Sequence, residues 1–170
     1  MMESFRITIN SHIRNGWLII LGLLICSKFQ WILSFFYPNE SNEDSIWIGV
    51  LAFVFFTVPA IIIHINYYLV NRGDVLEYSA QQNIINITHR RVSTTFSLDD
   101  IDHIERSISF NLAHNQLWVV SWDGYNHSVI YLKNGNIFTV TSLLVPNLDL
   151  PIEKDKLIVK RNVYRLAKIR

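Results

Sequence analysis

The side chains that could do chemistry in this chain of 170 residues are dispersed, and their spacing matches no catalytic motif. There is no phosphate-binding glycine loop, no Gly-x-Ser-x-Gly turn and no His-Glu-x-x-His pair. The single cysteine, Cys26, can form neither an intrachain disulfide nor a zinc site by itself. The acidic run from Asp99 to Glu105 is interrupted by apolar residues that turn inward, so its acids belong to the solvated side of one helical turn. The sequence therefore predicts a binding protein with no catalytic residue, no metal site and no cofactor.

Groups suited to an anionic ligand occur in residues 71–170. Guanidinium and ammonium groups donate charge-assisted hydrogen bonds to phosphate, and aromatic rings stack on bases. This part of the chain has twelve basic and ten acidic residues, a net charge of +2 that is too balanced for long nucleic acid but suits a small anion or a lipid headgroup. The alternation of residues around Trp122 leaves a second interpretation open, in which this tryptophan belongs to the core. The predicted ligand-binding residues are Arg90, Arg91, Trp122, Tyr125, Lys133, Lys160, Arg161 and Arg165.

Two long apolar runs near the N-terminus predict a membrane hairpin that would hold this domain. Residues 17–37 and 46–70 are each long enough, as helices, to cross a hydrocarbon core of about 30 Å. The aromatic end of the first run offers no small-residue cleavage site, which argues against a signal peptide. Basic residues such as Arg14 flank the runs and the connection 38–45 is acidic, so the positive-inside rule places both termini in the cytoplasm.

Three residues within these runs need an explanation. Lys28 falls in the middle of the first predicted span, close to Gln30, where a charge costs about 3 kcal/mol. One interpretation is a polar helix face in an oligomer, and the other is a lysine that snorkels to the interface. Pro59 removes a backbone hydrogen bond and predicts a kink in the second span. In the first interpretation Lys28, Gln30 and Pro59 are gating residues, and in the second they are structural.

Beyond residue 70 the apolar period changes from helical to alternating, which is typical of strands with one buried face. A Ser-x-x-Asp signal at Ser97–Asp100 predicts a single helical turn, and Asp123-Gly124 and Asn134-Gly135 predict hairpin turns. The predicted strands cover residues 75–80, 84–88, 92–98, 104–110, 117–122, 128–133 and 136–144.

The basic tail, residues 153–170, allows two interpretations. It forms either a basic amphipathic helix or a strand over 157–160 followed by a shorter helix. The predicted fold class is a membrane α-helical hairpin followed by a mainly antiparallel β domain of the α+β class, with about seven strands. The predicted organisation is a cytoplasmic tail (1–16), a transmembrane hairpin (17–70) and a cytoplasmic β-rich domain (71–170).

The segment Phe96-Ser-Leu-Asp-Asp-Ile-Asp-His-Ile-Glu105, followed by strands and an Asn-Gly hairpin, resembles the strand–turn–strand pattern of bacterial pleckstrin-homology-like domains. Such domains often follow a two-helix membrane hairpin, and the resemblance covers about 75 residues. It implies a membrane-anchored scaffold without enzymatic activity, whose β domain binds a protein partner or lipid headgroups.

The layout of the whole chain also resembles the membrane effectors of bacterial antiviral signalling. The nearest in layout is the type III CRISPR-associated effector that binds cyclic tetra-adenylate as a tetramer and perturbs the membrane, and the CBASS β-barrel effectors are similar. This resemblance carries no residue motif. It implies a bacterial inner-membrane location, a cyclic oligonucleotide ligand and a homo-oligomer, with a tetramer favoured.

These observations lead to three hypotheses. In the first, a ligand-gated effector binds a cyclic oligonucleotide and perturbs the membrane through its helices; the position of Lys28 and the concentrated basic groups favour it. In the second, the protein is an anchored scaffold with no gating. In the third, it is an accessory subunit of a transporter.

Overall fold

The computed structural model describes residues 2–28, 31, 35, 43–114 and 120–169. Within them the chain forms eight strands, four α-helices and two short 3-10 turns. The helices are α1 (Ile9–Ser27), α2 (Glu43–Phe56), α3 (Val58–Asn71) and α4 (Phe110–Ala113). The strands are β1 (Met2–Arg6), β2 (Val75–Ser79), β3 (Ile84–His89), β4 (Val92–Ser97), β5 (Ile101–Ile108), β6 (His127–Leu132), β7 (Ile137–Thr141) and β8 (Leu157–Arg161). The 3-10 turns are Leu98–Asp100 and Lys154–Lys156.

The first sheet contains strands from both sides of the helical region. Its order is β1-β2-β3-β4, with every pair antiparallel, and Met2 of β1 lies opposite Ser79 of β2. The segment 2–6, expected to belong to a cytoplasmic tail, is therefore an edge strand of the β domain. The helical hairpin is inserted between the first and second strands. A β domain that began at residue 71 would therefore lack β1.

The second sheet has the order β7-β6-β5-β8 and is not wholly antiparallel. Strand β8 runs parallel to β5, with Leu157 opposite Ile104 and Arg161 opposite Ile108. Of the two interpretations of the tail, the strand is the one observed, and no helix follows it within residues 162–169.

Other differences concern the middle of the domain. Half of the strand expected over 117–122 lies outside the described residues, and its described part, 120–122, forms a bend and turn. Strand β7 ends at Thr141, three residues before its expected end, because residues 142–144 turn back toward the helices.

The main core lies between the two sheets and follows the alternation seen in the sequence. Ile85 and Ile87 of β3 are buried, whereas Asn86 between them is only partly covered. The turn after β4 begins with the expected cap, in which the Ser97 amide and hydroxyl both donate to Asp100 Oδ2 at 2.8 Å. Burying an aliphatic side chain of this size stabilises the fold by about 1.5–3 kcal/mol, so this core accounts for much of the domain's stability.

Two helical segments are long and apolar enough to cross a membrane, judged by length and composition: Ile9–Ser27, with 19 residues, and Trp47–Asn71, with 25. The first begins eight residues before the expected start at 17, where Thr8 Oγ1 accepts a hydrogen bond from the Ser11 amide at 3.3 Å. The chain therefore enters the helix directly from β1.

The shifted helix also changes the position of Lys28. This residue follows the last residue of α1 instead of lying in mid-helix, and its side chain is exposed. A positive charge at a helix C-terminus is favourable. The role of Lys28 within a membrane stays a prediction. Gln30 lies outside the described residues.

The second apolar run is interrupted at Thr57, between α2 and α3. Pro59 stands in the first turn of α3, where its missing N–H is tolerated. The interruption lies two residues before Pro59, and a kink at Pro59 stays a prediction.

Candidate functional site at the junction of helices and domain

One face of α3 is buried against the β domain. Ala60, Ile63 and Tyr67 recur at helical spacing and are almost fully buried, whereas Ile62 and Ile65 on the opposite face are exposed. The buried face packs against two loops and the C-terminal segment. The cluster consists of Ala60, Ile63, Tyr67, Val70, Trp122, Tyr125, Leu143 and Ala167. The helix that reads as membrane-spanning is thus also a packing element of the domain.

A chain of hydrogen bonds joins both helices to the domain at this junction. His12 Nδ1 of α1 lies 2.8 Å from His64 Nε2 of α3. His64 Nδ1 lies 2.7 Å from the hydroxyl of Tyr125, in the loop before β6. Because each bond connects a different pair of elements, a displacement of one element would break at least one bond.

A second polar pair lies beside this chain. The Tyr67 hydroxyl is 3.0 Å from Nδ1 of His127, the first residue of β6. Burial, together with the nearby Arg165 guanidinium, lowers the pKa of His127 to about 4. Burial also raises the pKa of Tyr125. His127 is therefore neutral near pH 7, and its Nδ1 can accept a hydrogen bond from the Tyr67 hydroxyl.

Three asparagine side chains fasten the helices to strand-edge and loop backbone. Asn66 donates to the Ala167 carbonyl at 3.0 Å and accepts from the Ala167 amide at 2.8 Å. Asn71 makes the same kind of paired contact, with the Thr139 carbonyl and the Thr141 amide. Asn15 of α1 donates to the Ser142 carbonyl at 3.2 Å. Asn66 thus secures the C-terminal segment to α3, while Asn71 and Asn15 secure the ends of the hairpin to β7 and the turn after it.

Three of the residues expected to bind ligand lie together inside this junction. Tyr125 is 0% and Trp122 is 7% exposed, so neither ring has a free face on which a base could stack. Arg165 is 1% exposed and its guanidinium donates to the backbone carbonyls of Tyr125 and Asn162, at 2.8 and 2.7 Å, and of Trp122. The structure gives these three residues interior roles, which agrees with the core interpretation of Trp122.

The other five expected ligand residues lie at three separate places on the surface. Arg90 and Arg91 form the exposed turn between β3 and β4, with φ of 48° and 70°. Lys133 is exposed in the turn after β6, where its amide donates to the Asp100 carbonyl. Lys160 and Arg161 are exposed on the edge strand β8, and Lys160 Nζ lies 2.7 Å from Glu105. Their role in binding stays a prediction.

The junction residues that sequence reasoning passed over are polar residues within apolar helices. They include His64 and Asn66, which lie near the end of the second apolar run, where polar groups cost little. The signal in the sequence was the recurrence of polar residues on one helix face: His12 and Asn15 are three apart, and His64, Tyr67 and Asn71 are at helical spacing. Such a pattern indicates a face covered by protein.

Taken together, these features define a class of protein: a β domain of two packed sheets with an apolar helical hairpin inserted between its first two strands. The family model described as PH domain matches residues 4–151, from β1 to the segment beyond β7. The chain therefore belongs to the PH domain family. This finding confirms the pleckstrin-homology-like part of the sequence prediction. No curated protein and no solved structure shows significant similarity, and no comparison supports the resemblance to cyclic-oligonucleotide effectors.

Proposed function

We propose that this protein is a membrane-anchored PH-domain binding module whose helical hairpin is a rigid continuation of the domain. The observation that carries the proposal is the hydrogen-bond chain from His12 through His64 to Tyr125, together with the buried face of α3. A flexible anchor needs neither feature. The connection is also short, because β2 begins four residues after α3 ends at Asn71. Binding of a partner or ligand to the domain would therefore be transmitted to the helices.

In this proposal both apolar segments cross a bacterial inner membrane and both termini stay in the cytoplasm. Arg6 and Arg72 flank the segments on the side of the β domain, and Arg14 lies near the start of the first segment on the same side, as the positive-inside rule requires. The exposed face of α3, with Ile62, Ile65 and Leu69, would meet lipid or a second copy of the chain.

A cyclic-oligonucleotide effector is a narrower form of the same proposal. The rigid junction favours it, since differential binding to two arrangements of an oligomer would move the helices. The burial of Trp122 and Tyr125 argues against the stacking site expected for such a ligand. A scaffold without gating would keep the domain bound to a partner or headgroup while the helices stay still. The tetramer and the ligand are part of this narrower proposal only.

The rigid junction is tested by amide hydrogen exchange on the full chain in lipid nanodiscs. The Tyr125→Phe variant loses the hydroxyl that contacts His64, and a hydrogen bond of this kind contributes about 1 kcal/mol. We therefore expect exchange in residues 63–72 to quicken about fivefold, because local opening becomes easier. The matched control is Tyr131→Phe, whose hydroxyl instead donates to Glu105 at 3.4 Å, on the second sheet.

Exchange in the control should stay at the wild-type rate in the same residues. If Tyr125→Phe also leaves the rate unchanged, the hairpin is only a tether and the proposal is wrong. An equal increase of the exchange rate in Tyr125→Phe and Tyr131→Phe would indicate general destabilisation of the protein. That result would also contradict the proposal of a rigid junction.

A further inference from the structure

A groove of about 270 Å³ lies between α1 and α3. Its described wall is apolar apart from two histidines, one on each helix, and contains no Asp, Glu, Lys or Arg. An apolar cavity of about 150 Å³ already accepts a benzene ring, so the groove has room for one ring or a short chain. The residues of its described wall are His12, Ile13, Gly16, Ile19, Ile20, Ile61, His64 and Ile65.

The direction of the hydrogen bonds beside this groove is set by the Tyr125 hydroxyl. Tyr125 is fully buried, and within the described part of the chain its hydroxyl contacts no polar group except His64 Nδ1, at 2.7 Å. A hydroxyl that only accepted from His64 would leave its own proton buried and unpaired, at a cost of about 1–3 kcal/mol. The hydroxyl of Tyr125 therefore donates, and His64 Nδ1 accepts.

This direction fixes the tautomers of both histidines. A neutral imidazole that accepts at one nitrogen carries its proton on the other, so His64 Nε2 donates to His12 Nδ1 across the 2.8 Å contact. His12 in turn carries its proton on Nε2. That N–H group has no hydrogen-bond partner among the described residues, although the ring lines the groove. The groove thus offers one hydrogen-bond donor in an otherwise apolar wall.

The polar and apolar parts of the groove are arranged along the helices. His12 lies in the first turn of α1 and His64 lies in the second half of α3, so both are toward the ends that join the β domain. Ile20 on α1 and Ile61 on α3 lie further from those ends. In a membrane, the donor would therefore be near the interface and the apolar wall would extend toward the hydrocarbon core.

We propose that this groove binds a lipid-soluble molecule with a carbonyl group at the end of an apolar body, and that the carbonyl oxygen accepts a hydrogen bond from His12 Nε2. A neutral acceptor fits because the described wall has no charged group to pair with an ion, and burying an unpaired charge is costly. The inference rests on the proposed crossing of the membrane by both apolar segments, but not on the rigidity of the junction.

A membrane contains two sources of such a carbonyl group. One is the ester of an ordinary acyl lipid, whose carbonyl lies at the interface and whose chain enters the hydrocarbon core. The other is a separate lipid-soluble compound, such as an isoprenoid quinone. Both would place an oxygen at His12 and an apolar group along the isoleucines of the groove.

The test is nuclear magnetic resonance of the full chain labelled with ¹⁵N-histidine, in nanodiscs of ether-linked phosphatidylcholine, which has no ester carbonyl. His12→Phe assigns the signals of this ring. We expect the wild type to carry the His12 proton on Nε2. One arm replaces the lipid with ester-linked phosphatidylcholine, and the other adds decylubiquinone to the ether-linked lipid. At least one arm should shift the His12 Nε2 signal, because that N–H group gains an acceptor.

Two variants on α3 separate the groove from general partitioning into the lipid. Ile65 lines the groove and Ile62 is not part of its described wall, yet both are 52% exposed. Ile65→Trp should fill the groove and abolish the shift, whereas Ile62→Trp should keep it. Ile20→Trp fills the groove from α1 and should act like Ile65→Trp, which provides a second variant if the first does not fold.

The site is overturned if His12 carries its proton on Nδ1 alone, or if neither arm shifts its Nε2 signal in a folded protein. It is also overturned if the groove-filling variants and Ile62→Trp respond alike. The junction test reads amide exchange in residues 63–72 and this test reads a histidine ring, so the two proposals fail separately.

Discussion

Arg165 is the largest of the fully buried side chains in the described part of the protein. No carboxylate lies within ion-pair distance of it there; backbone carbonyl oxygens surround its guanidinium and replace the water lost on burial. Burial lowers its pKa, but an arginine remains charged at any physiological pH. Its positive charge suggested a ligand contact, whereas its hydrogen bonds close the C-terminal segment over the loop that contains Trp122 and Tyr125.

His127 makes the stability of the protein depend on pH. Its pKa is about 4 in the folded protein, against 6.5 for an exposed histidine. Above pH 6.5 His127 is neutral in both the folded and the unfolded protein, so it does not affect the free energy of unfolding. As the pH falls from 6.5 toward 4, His127 is protonated only in the unfolded protein, and the free energy of unfolding decreases. At pH 4.5 this loss amounts to about 2.5 kcal/mol.

The measurement is urea unfolding of the full chain in detergent at pH 7 and pH 4.5. His127→Asn keeps an acceptor near the Tyr67 hydroxyl but cannot be protonated, so its stability should fall by about 2.5 kcal/mol less between the two pH values. His114→Asn, at an exposed position, should behave like the wild type. The assignment is wrong if His127→Asn and the wild type lose the same free energy.

At the scale of elements, α1 approaches the break between α2 and α3 closely because it carries glycine there. A Cβ added at Gly22 would lie 2.7 Å from Thr57 Oγ1, closer than real contacts allow. A Cβ added at Gly16 would lie 3.5 Å from the His64 ring, an ordinary van der Waals distance. There is therefore room for a methyl group at Gly16 but not at Gly22, although both lie in the same helix.

We expect Gly22→Ala to destabilise the hairpin by about 1–3 kcal/mol, because overpacking outweighs the gain in helix propensity. Gly16→Ala should be neutral or slightly stabilising and serves as its control. The double variant Gly22→Ala/Thr57→Ala should recover most of the loss, since the methyl group then has room. Thermal unfolding of the three variants in nanodiscs, followed by circular dichroism, measures these changes; a Gly22→Ala protein as stable as Gly16→Ala would disprove the close approach.

The same elements show where pattern reasoning succeeds. Apolar and polar residues alternate along strands β2 to β4, and each strand ends in a turn. Because neighbouring residues contain this pattern, the observed positions agree with the predicted ones within about two residues. Strand β1 has only five residues and precedes a helix, and nothing local distinguishes it from a tail. Its pairing with β2 crosses about 70 residues of sequence.

At the scale of the whole molecule, the domain depends on this distant strand. A fragment of residues 71–170 lacks β1 and leaves the edge of β2 unpaired, which favours aggregation. Residues 2–7 joined by a short glycine–serine linker to residues 71–170 would restore the pairing, since Arg6 lies opposite Val75.

We expect the joined version to unfold cooperatively and the fragment 71–170 to be less stable or insoluble. Size-exclusion chromatography and thermal unfolding of the two proteins compare them directly. Both expose the junction face around Tyr125 once the hairpin is removed, so any difference reports on β1 alone. Equal stability of the two would mean that β1 is dispensable and that the domain folds from residue 71 onward.

By itself, the sequence determined the features that depend on neighbouring residues: two apolar helical runs, an alternating β domain, its hairpin turn at Asn134-Gly135 and the cap at Ser97. These follow from local periods of hydrophobicity and from turn chemistry. Only the tertiary structure decided which charged and aromatic groups remain accessible. Arg165 and Tyr125 turn inward, while Arg14 and Arg106, about 90 residues apart, line one cleft. The physical reason is that burial depends on which distant segment covers a surface, and no local period contains that information.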